Sequence, residues 1–335
     1  MLITDPTLIS REATLHTRSS AGVDVHPSSG IISYAQNRED ILLWRALFDI
    51  EEGFYVDVGA QDPTLDSVTR AFYDRGWRGI NIEPVTGYFD KLCVERPKDL
   101  TLQVAVGDRT GWSTLYEFPD TGLSTLVEEV AFGHRARGFG DIQRRRQVVT
   151  LASVWKNFVK GEVHFLKIDV EGYEREVLSG MDLARFRPWI ILIEATQPLT
   201  SIDVGEVWER SLLTSRYRFV HFDGLNRWYI AEERSNLKAR FEAPPNIFDG
   251  FQLAATISLR DDLAAAKRDL AATISLRDDL AAAKRDLAAT ISLRDDLAAA
   301  KHDLEQIRAS ASWRWTAPLR AVRDCFCRPA RRLTS

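Results

Sequence analysis

The feature that most constrains how this chain folds is a series of five short apolar runs, each meeting an acidic residue at or just after its end. They are Phe54-Tyr-Val-Asp-Val, Gly79-Ile-Asn-Ile-Glu, Leu102-Gln-Val-Ala-Val, His164-Phe-Leu-Lys-Ile-Asp and Trp189-Ile-Ile-Leu-Ile-Glu. Runs this apolar, separated by helix-length segments, read as buried strands of a parallel sheet. Strands alternating with helices give an open α/β sheet, and such sheets bind ligands beyond the carboxyl ends of their strands. Asp57, Glu83, Asp108, Asp169 and Glu194 mark those ends. One acid there is an ordinary helix N-cap. Five in register suggest an acidic rim for a cationic or hydroxyl-rich ligand.

After the fifth run, Tyr217-Arg-Phe-Val-His-Phe, the turn Asp223-Gly224 and Arg227-Trp-Tyr-Ile-Ala predict a closing β-hairpin. The α/β domain is expected over 31–249, preceded by a flexible arm at 1–30, where Ser, Thr, Pro and isolated charges follow no period. The 17-residue unit LAATISLRDDLAAAKRD then occurs at 253–269, 270–286 and 287–303, with one change, His302, in the last copy. A helical segment is expected over 250–308, and its stretch from Leu253 to about Arg308, free of Gly and Pro, predicts a helix ~84 Å long. Leu253, Ile257 and Leu263 lie on an apolar stripe, so a coiled coil is expected, pairing with itself or with a partner helix. Seventeen residues are two heptads plus three, so each repeat carries a stammer that overwinds the coil or lets the stripe drift. In the tail, 309–335, Leu319, Val322 and Phe326 oppose Arg320, Arg323 and Arg328 beside two Trp. It reads either as an interfacial membrane anchor or as a solvated, partner-docking segment.

The net charge of −4 conceals a gradient: 29 basic against 37 acidic residues over 1–252, 8 against 10 over 253–305, and 7 against 1 over 306–335. An acidic body argues against nucleic acid as the partner. Cys93, Cys325 and Cys327 are too few for a disulfide framework and lack zinc-site spacing, which suits a reducing compartment. No run approaches 18 apolar residues. A cytoplasmic location is expected, with the tail offering contact to the inner face of the plasma membrane.

In Tyr55-Val-Asp57-Val-Gly59-Ala60-Gln-Asp62, small residues let the backbone pass close to a ligand. The spacing departs from the dinucleotide pattern G-x-G-x-x-G, which favours a nucleoside that needs carboxylates rather than a phosphate cradle. S-adenosylmethionine fits, with its positive sulfonium and ammonium and its two ribose hydroxyls. Glu83, 26 residues after Asp57, is placed to accept from the ribose. Asp108 is placed to accept from the adenine amino group.

The runs Tyr34-Ala-Gln-Asn-Arg-Glu-Asp-Ile, Gly53-Phe-Tyr-Val-Asp-Val-Gly-Ala, Arg75-Gly-Trp-Arg-Gly-Ile-Asn-Ile-Glu-Pro, Leu166-Lys-Ile-Asp-Val-Glu-Gly-Tyr-Glu and Val177-Leu-Ser-Gly closely resemble the FkbM family of S-adenosylmethionine-dependent methyltransferases, over roughly residues 31–235. The resemblance implies a class I methyltransferase (Rossmann-like) α/β sheet with helices on both faces, and methylation of hydroxyl oxygens on sugars or natural products. It implies that Asp57, Gly59, Ala60, Glu83 and Asp108 hold the cofactor and that Gln36 covers it. The chain departs from the family pattern at Gln61-Asp62-Pro63, where many members carry an Asn and a Gly. The stalk and the Ser310-to-Arg320 motif are similar to appendages of bacterial polysaccharide-assembly enzymes, which implies a cell-surface glycan or its lipid-linked precursor as acceptor. A small natural product as acceptor, and a non-catalytic scaffold organising glycan assembly, are the alternatives.

Methyl transfer to a hydroxyl needs a base for the departing proton. Asp169 and Glu171, in Lys167-Ile-Asp-Val-Glu-Gly172, are the leading candidates, because period 2 lets both share a strand face. Asp169 reads alternatively as a helix cap. His134, in Gly133-His-Arg-Ala-Arg, is a second-line base or an ordinary surface histidine. A Mg²⁺ site on Asp169 and Glu194 lacks a visible third ligand, so no metal is expected. Ser124 within Thr121–Thr125, and Asn226, Arg227 and Trp228 of the hairpin, are candidates to line the acceptor site, Trp228 as a platform for a sugar ring.

Overall fold

The computed structural model describes residues 30–316 and 318–320. All of the expected arm except Gly30 lies outside them, as do Val322, Arg323, Cys325, Phe326, Cys327 and Arg328 of the expected tail. The chain divides into two units, one through Ser258 and one from Leu259.

The first unit opens with β1 (Ile32–Ser33), α1 (Glu39–Leu47), β2 (Phe54–Val58), α2 (Arg70–Asp74), β3 (Arg78–Ile82), α3 (Thr86–Glu95) and β4 (Leu100–Leu102). There follow β5 (Ala105–Val106), β6 (Gly111–Glu117), α4 (Glu128–Ala136), β7 (Ile142–Val149), α5 (Leu151–Phe158) and β8 (Phe165–Ile168). Finally come α6 (Glu174–Ser179), β9 (Ile190–Glu194), α7 (Glu206–Thr214), β10 (Tyr217–Phe222), β11 (Asn226–Ala231) and β12 (Gln252–Leu253).

The main sheet has the order β10-β11-β9-β8-β2-β3-β4. β9, β8, β2, β3 and β4 run parallel, β11 is antiparallel to β9, and β10 is antiparallel to β11. The runs are continuously apolar because both faces of the sheet are covered. Val56, Ile80, Leu166 and Ile191 pack on one face with Val154, Leu178 and Leu212 of α5, α6 and α7. Tyr55, Phe165, Ile190 and Leu192 pack on the other with Ile41 and Trp44 of α1 and Phe72 of α2. From β2 the chain steps outward to β3 and β4, then returns past β2 to lay down β8 and β9. The strand order therefore reverses between β2 and β8, and this is where an open α/β sheet forms its ligand crevice.

The third apolar run behaves differently from its expectation. Leu102 ends β4, after which Ala105 and Val106 turn away to pair with Val148 and Val149 in a separate sheet of order β5-β7-β6. The first unit also extends past the expected boundary at 249, since Gln252 and Leu253 pair in parallel with Ile32 and Ser33. In α8, Ala254–Ala309, 56 residues carry the repeats as one uninterrupted helix with no buried residue. A short α9, Ala311–Trp315, follows. Among the described residues no helix is long and apolar enough to cross a membrane.

Candidate active site

A cavity of about 620 Å³ opens at the carboxyl ends of β2, β3, β8 and β9. Its floor is set by the turn after β2. Gly59 has φ +79°, and a Cβ there would sit 1.8 Å from the Asp169 carbonyl oxygen, so only glycine lets the β2 and β8 loops meet. The Gly59 and Ala60 amides donate to the Ile82 carbonyl at 2.9 and 3.3 Å, which ties this turn to β3.

Asp57 is buried, accepts from the Thr69 hydroxyl at 3.0 Å and lies 3.5 Å from the Lys167 ammonium. Burial raises its pKa, against the pull of Lys167. Thr69 also accepts from Arg96, a fully buried guanidinium that donates to the Pro63 carbonyl, Ser67 and Tyr55, so the β2 loop is laced from behind. Glu83 accepts the Val85 amide at 2.7 Å on one oxygen and the Gln61 amide at 2.8 Å on the other, and burial pushes its pKa up to about 7.

The fourth-strand loop builds a carboxylate cluster. Asp169, Glu171 and Glu194 present oxygens within 4.8 Å of one another. One oxygen each of Glu171 and Glu194 is buried without a hydrogen-bond partner among the described residues. Burial first, then the neighbouring carboxylates, drives both of these groups upward. Lys167 supplies the compensating charge, 3.1 Å from Asp169. Beneath them Glu174 accepts the Val170 and Gly172 amides at 3.1 Å each, and the Thr125 hydroxyl donates to the Glu171 carbonyl at 2.8 Å. Glu171 (φ +54°) and Gly172 (φ +94°) are consecutive left-handed residues that form the bend.

Gln36, Asp57, Gly59, Ala60, Glu83, Asp169, Glu171, Ser124 and Asn226 all line the cavity. Asp169 and Glu171 reach it through this bend rather than by strand alternation, because β8 ends at Ile168. The third carboxylate that the sequence did not offer beside Asp169 and Glu194 is Glu171 itself.

Four expectations need correction. Asp108 is exposed and outside the cavity lining, carried away when the chain leaves β4 for the second sheet. His134 is not a surface residue: it is buried within α4, edge-on to Phe118 at 5.1 Å, with neither ring nitrogen hydrogen-bonded among the described residues. Burial lowers its pKa, and it plays the part of a neutral aromatic. Arg227 points from β11 to Asp203 at 2.6 Å and Glu209 at 2.9 Å. Trp228 is wholly buried against Phe241, its indole N–H donating to Asp223 at 2.8 Å, so it offers no sugar platform.

Glu39 and Lys167 had no role in the sequence reading, and both line the cavity. Glu39 accepts from Asn226 at 3.0 Å and from the Asn37 amide at 2.9 Å, and burial pushes it up to about 7. A Lys inside an apolar strand beside two strand-end acids was the available signal for Lys167. Residues 57–220 match the family model of the methyltransferase FkbM domain. No curated protein matches the chain.

Proposed function

The α/β unit of this chain belongs to the FkbM methyltransferase family, and from that premise we propose an S-adenosylmethionine-dependent O-methyltransferase acting on a sugar hydroxyl of a cell-surface polysaccharide or its lipid-linked precursor. The observation that carries this reading is the cavity at the strand-order reversal, walled by Asp57, Glu83 and the Asp169–Glu171–Glu194 cluster. The strand order and edge hairpin support the class I methyltransferase sheet that the resemblance implies.

The residues fit the cofactor. Glu83 keeps lone pairs free for ribose hydroxyls while its backbone bonds hold the loop, and the bare backbone at Gly59 admits close approach. Val85, Tyr88, Val104 and Leu115 give an apolar wall suited to a flat heterocycle. Acidic side chains elsewhere in the lining, Asp57 and Asp169 among them, suit positive charge. When bound, S-adenosylmethionine supplies a methyl carbon already activated by the adjacent sulfonium.

The chain must then orient a hydroxyl and remove its proton. Thr121, Ser124, Thr200, Ser201 and Asn226 give the cavity lining the hydroxyl and amide groups that a sugar requires. Orientation of this kind is worth up to ~7–11 kcal/mol. Three carboxylates this close do not all carry charge, so the cluster accepts the proton as a unit, with Lys167 limiting repulsion.

Calorimetric titration of the full chain with S-adenosylmethionine tests the cofactor, and transfer of labelled methyl into lipid-linked glycan tests the acceptor. Saturable binding and label in the glycan fraction are expected. No binding overturns the enzyme reading, and label confined to small hydroxylated molecules overturns the glycan.

A further inference from the structure

We propose that α8 pairs with α8 of a second copy of this chain, in parallel and in register. The proposal rests on the repeats alone and is independent of the cavity's chemistry.

Within each repeat, Leu259, Leu263, Ala266 and Leu270 follow the 4-3-4 spacing of a coiled-coil seam. The same spacing recurs 17 and 34 residues later. Among the described residues nothing covers this seam: Leu259 is 68% exposed, Leu276 70% and Leu293 69%. An apolar band running the length of a helix is an association surface.

The charges beside the seam select the occupant and its direction. The charged positions on one flank are Arg260, Lys267, Arg277, Lys284, Arg294 and Lys301, all basic. Those on the other are Asp262, Asp269, Asp279, Asp286, Asp296 and Asp303, all acidic. These Asp residues make no ion pair among the described residues. Asp262 and Lys267 lie five positions apart, too far for the i,i+4 pairs that stabilise a lone helix. Five is the separation at which flanking residues meet across a parallel two-stranded coil.

Parallel copies related by a two-fold axis along the coil set each basic flank against the partner's acidic flank. Asp262, Asp279 and Asp296 then face the partner's Lys267, Lys284 and Lys301, and the same pairs form on the opposite side. An antiparallel copy sets basic against basic and acidic against acidic along the whole seam. Sliding by one repeat keeps the charge match but leaves a third of the seam bare, so the full register is favoured.

The repeat length also sets the winding. Seventeen residues at about 100° each fall about 100° short of five full turns, so the seam drifts left-handedly around the helix. Two strands following it complete a supercoil turn in roughly 60 residues, ~90 Å, against about 150 Å for a regular heptad coil. Over its 56 residues α8 makes most of one such turn.

Sedimentation velocity on the full chain should give twice the 38.0 kDa monomer mass. Two variants separate the flank argument from plain hydrophobic association. Asp262→Lys with Asp279→Lys and Asp296→Lys, or Lys267→Asp with Lys284→Asp and Lys301→Asp, should each be monomeric while the α/β unit keeps its cooperative thermal unfolding as evidence of folding. Mixed one to one, they should recover the dimer. Leu263→Cys, in a chain whose three native cysteines are Ser, should form a disulfide dimer on oxidation. A monomeric wild type, charge variants that dimerise as well as wild type, or a dimer that fails to cross-link at position 263 would overturn the proposal.

Discussion

Glu83→Gln tests the cofactor pocket most sharply, because both oxygens of this buried carboxylate already serve the protein. One accepts the Val85 amide at 2.7 Å and the other the Gln61 amide at 2.8 Å. The amide side chain keeps one acceptor and turns the other into a donor, so one buried backbone N–H loses its partner. A lost charge-assisted bond of this kind costs about 1.5–3 kcal/mol. In a unit of this size, that lowers the thermal midpoint by roughly 3–12 °C. The ribose separately loses an anionic acceptor, which at about 1.5–3 kcal/mol weakens cofactor binding by roughly 10- to 150-fold. Calorimetry with S-adenosylmethionine and thermal unfolding of the same samples measure the two effects apart. A lowered midpoint with affinity unchanged within about threefold would refute the ribose role and leave Glu83 as a clamp on the loop.

Lys167→Met leaves Asp57 and Asp169 without their cation, and removing one partner from such a buried cluster costs about 3–5 kcal/mol. Thermal unfolding should show a fall of roughly 6–20 °C, and an unchanged midpoint would contradict the charge assignment. His134→Phe should keep the methyl-transfer rate within about twofold and lower stability by no more than about 1.5 kcal/mol, the range of volume-conserving core exchanges; a tenfold loss of rate would restore His134 as a base. Burial raises Glu39, Glu83 and Glu174 to about 7, so the folded, ligand-free protein holds protons there that the unfolded chain releases. Their contribution to stability is complete below about pH 4.5 and lost as pH rises through about 7. S-adenosylmethionine, which favours ionised carboxylates, should therefore raise the thermal midpoint more at pH 8 than at pH 6, and the reverse order would contradict the site.

The strands were legible because a sheet covered on both faces demands unbroken apolar runs, and Asp57, Glu83 and Asp169 followed from where those runs stop. Asp108 was misplaced because the third run conceals a break: Leu102 and Ala105 belong to different sheets. His134 sits in a stretch with little apolar period, so neither its helix nor its burial could be read locally. Trp228 and Arg227 could not be assigned because alternation on β11 says only that they face opposite ways, and their partners lie on distant segments. Lys167 looked like an ordinary polar strand position. Its meaning depends on Asp57, 110 residues earlier, which only the pairing of β2 with β8 brings within 3.5 Å.

The repeats of α8 are also a screw. Each 17-residue copy lengthens the helix by ~25 Å and leaves the following residue rotated by about 100° from the start of the copy before it. A gene duplication or deletion that changes the number of copies therefore re-aims everything beyond Ala309 as well as moving it. Seven copies are needed before the azimuth returns to within about 20° of its starting direction. Selection on the number of copies in this chain would then act on direction as strongly as on reach.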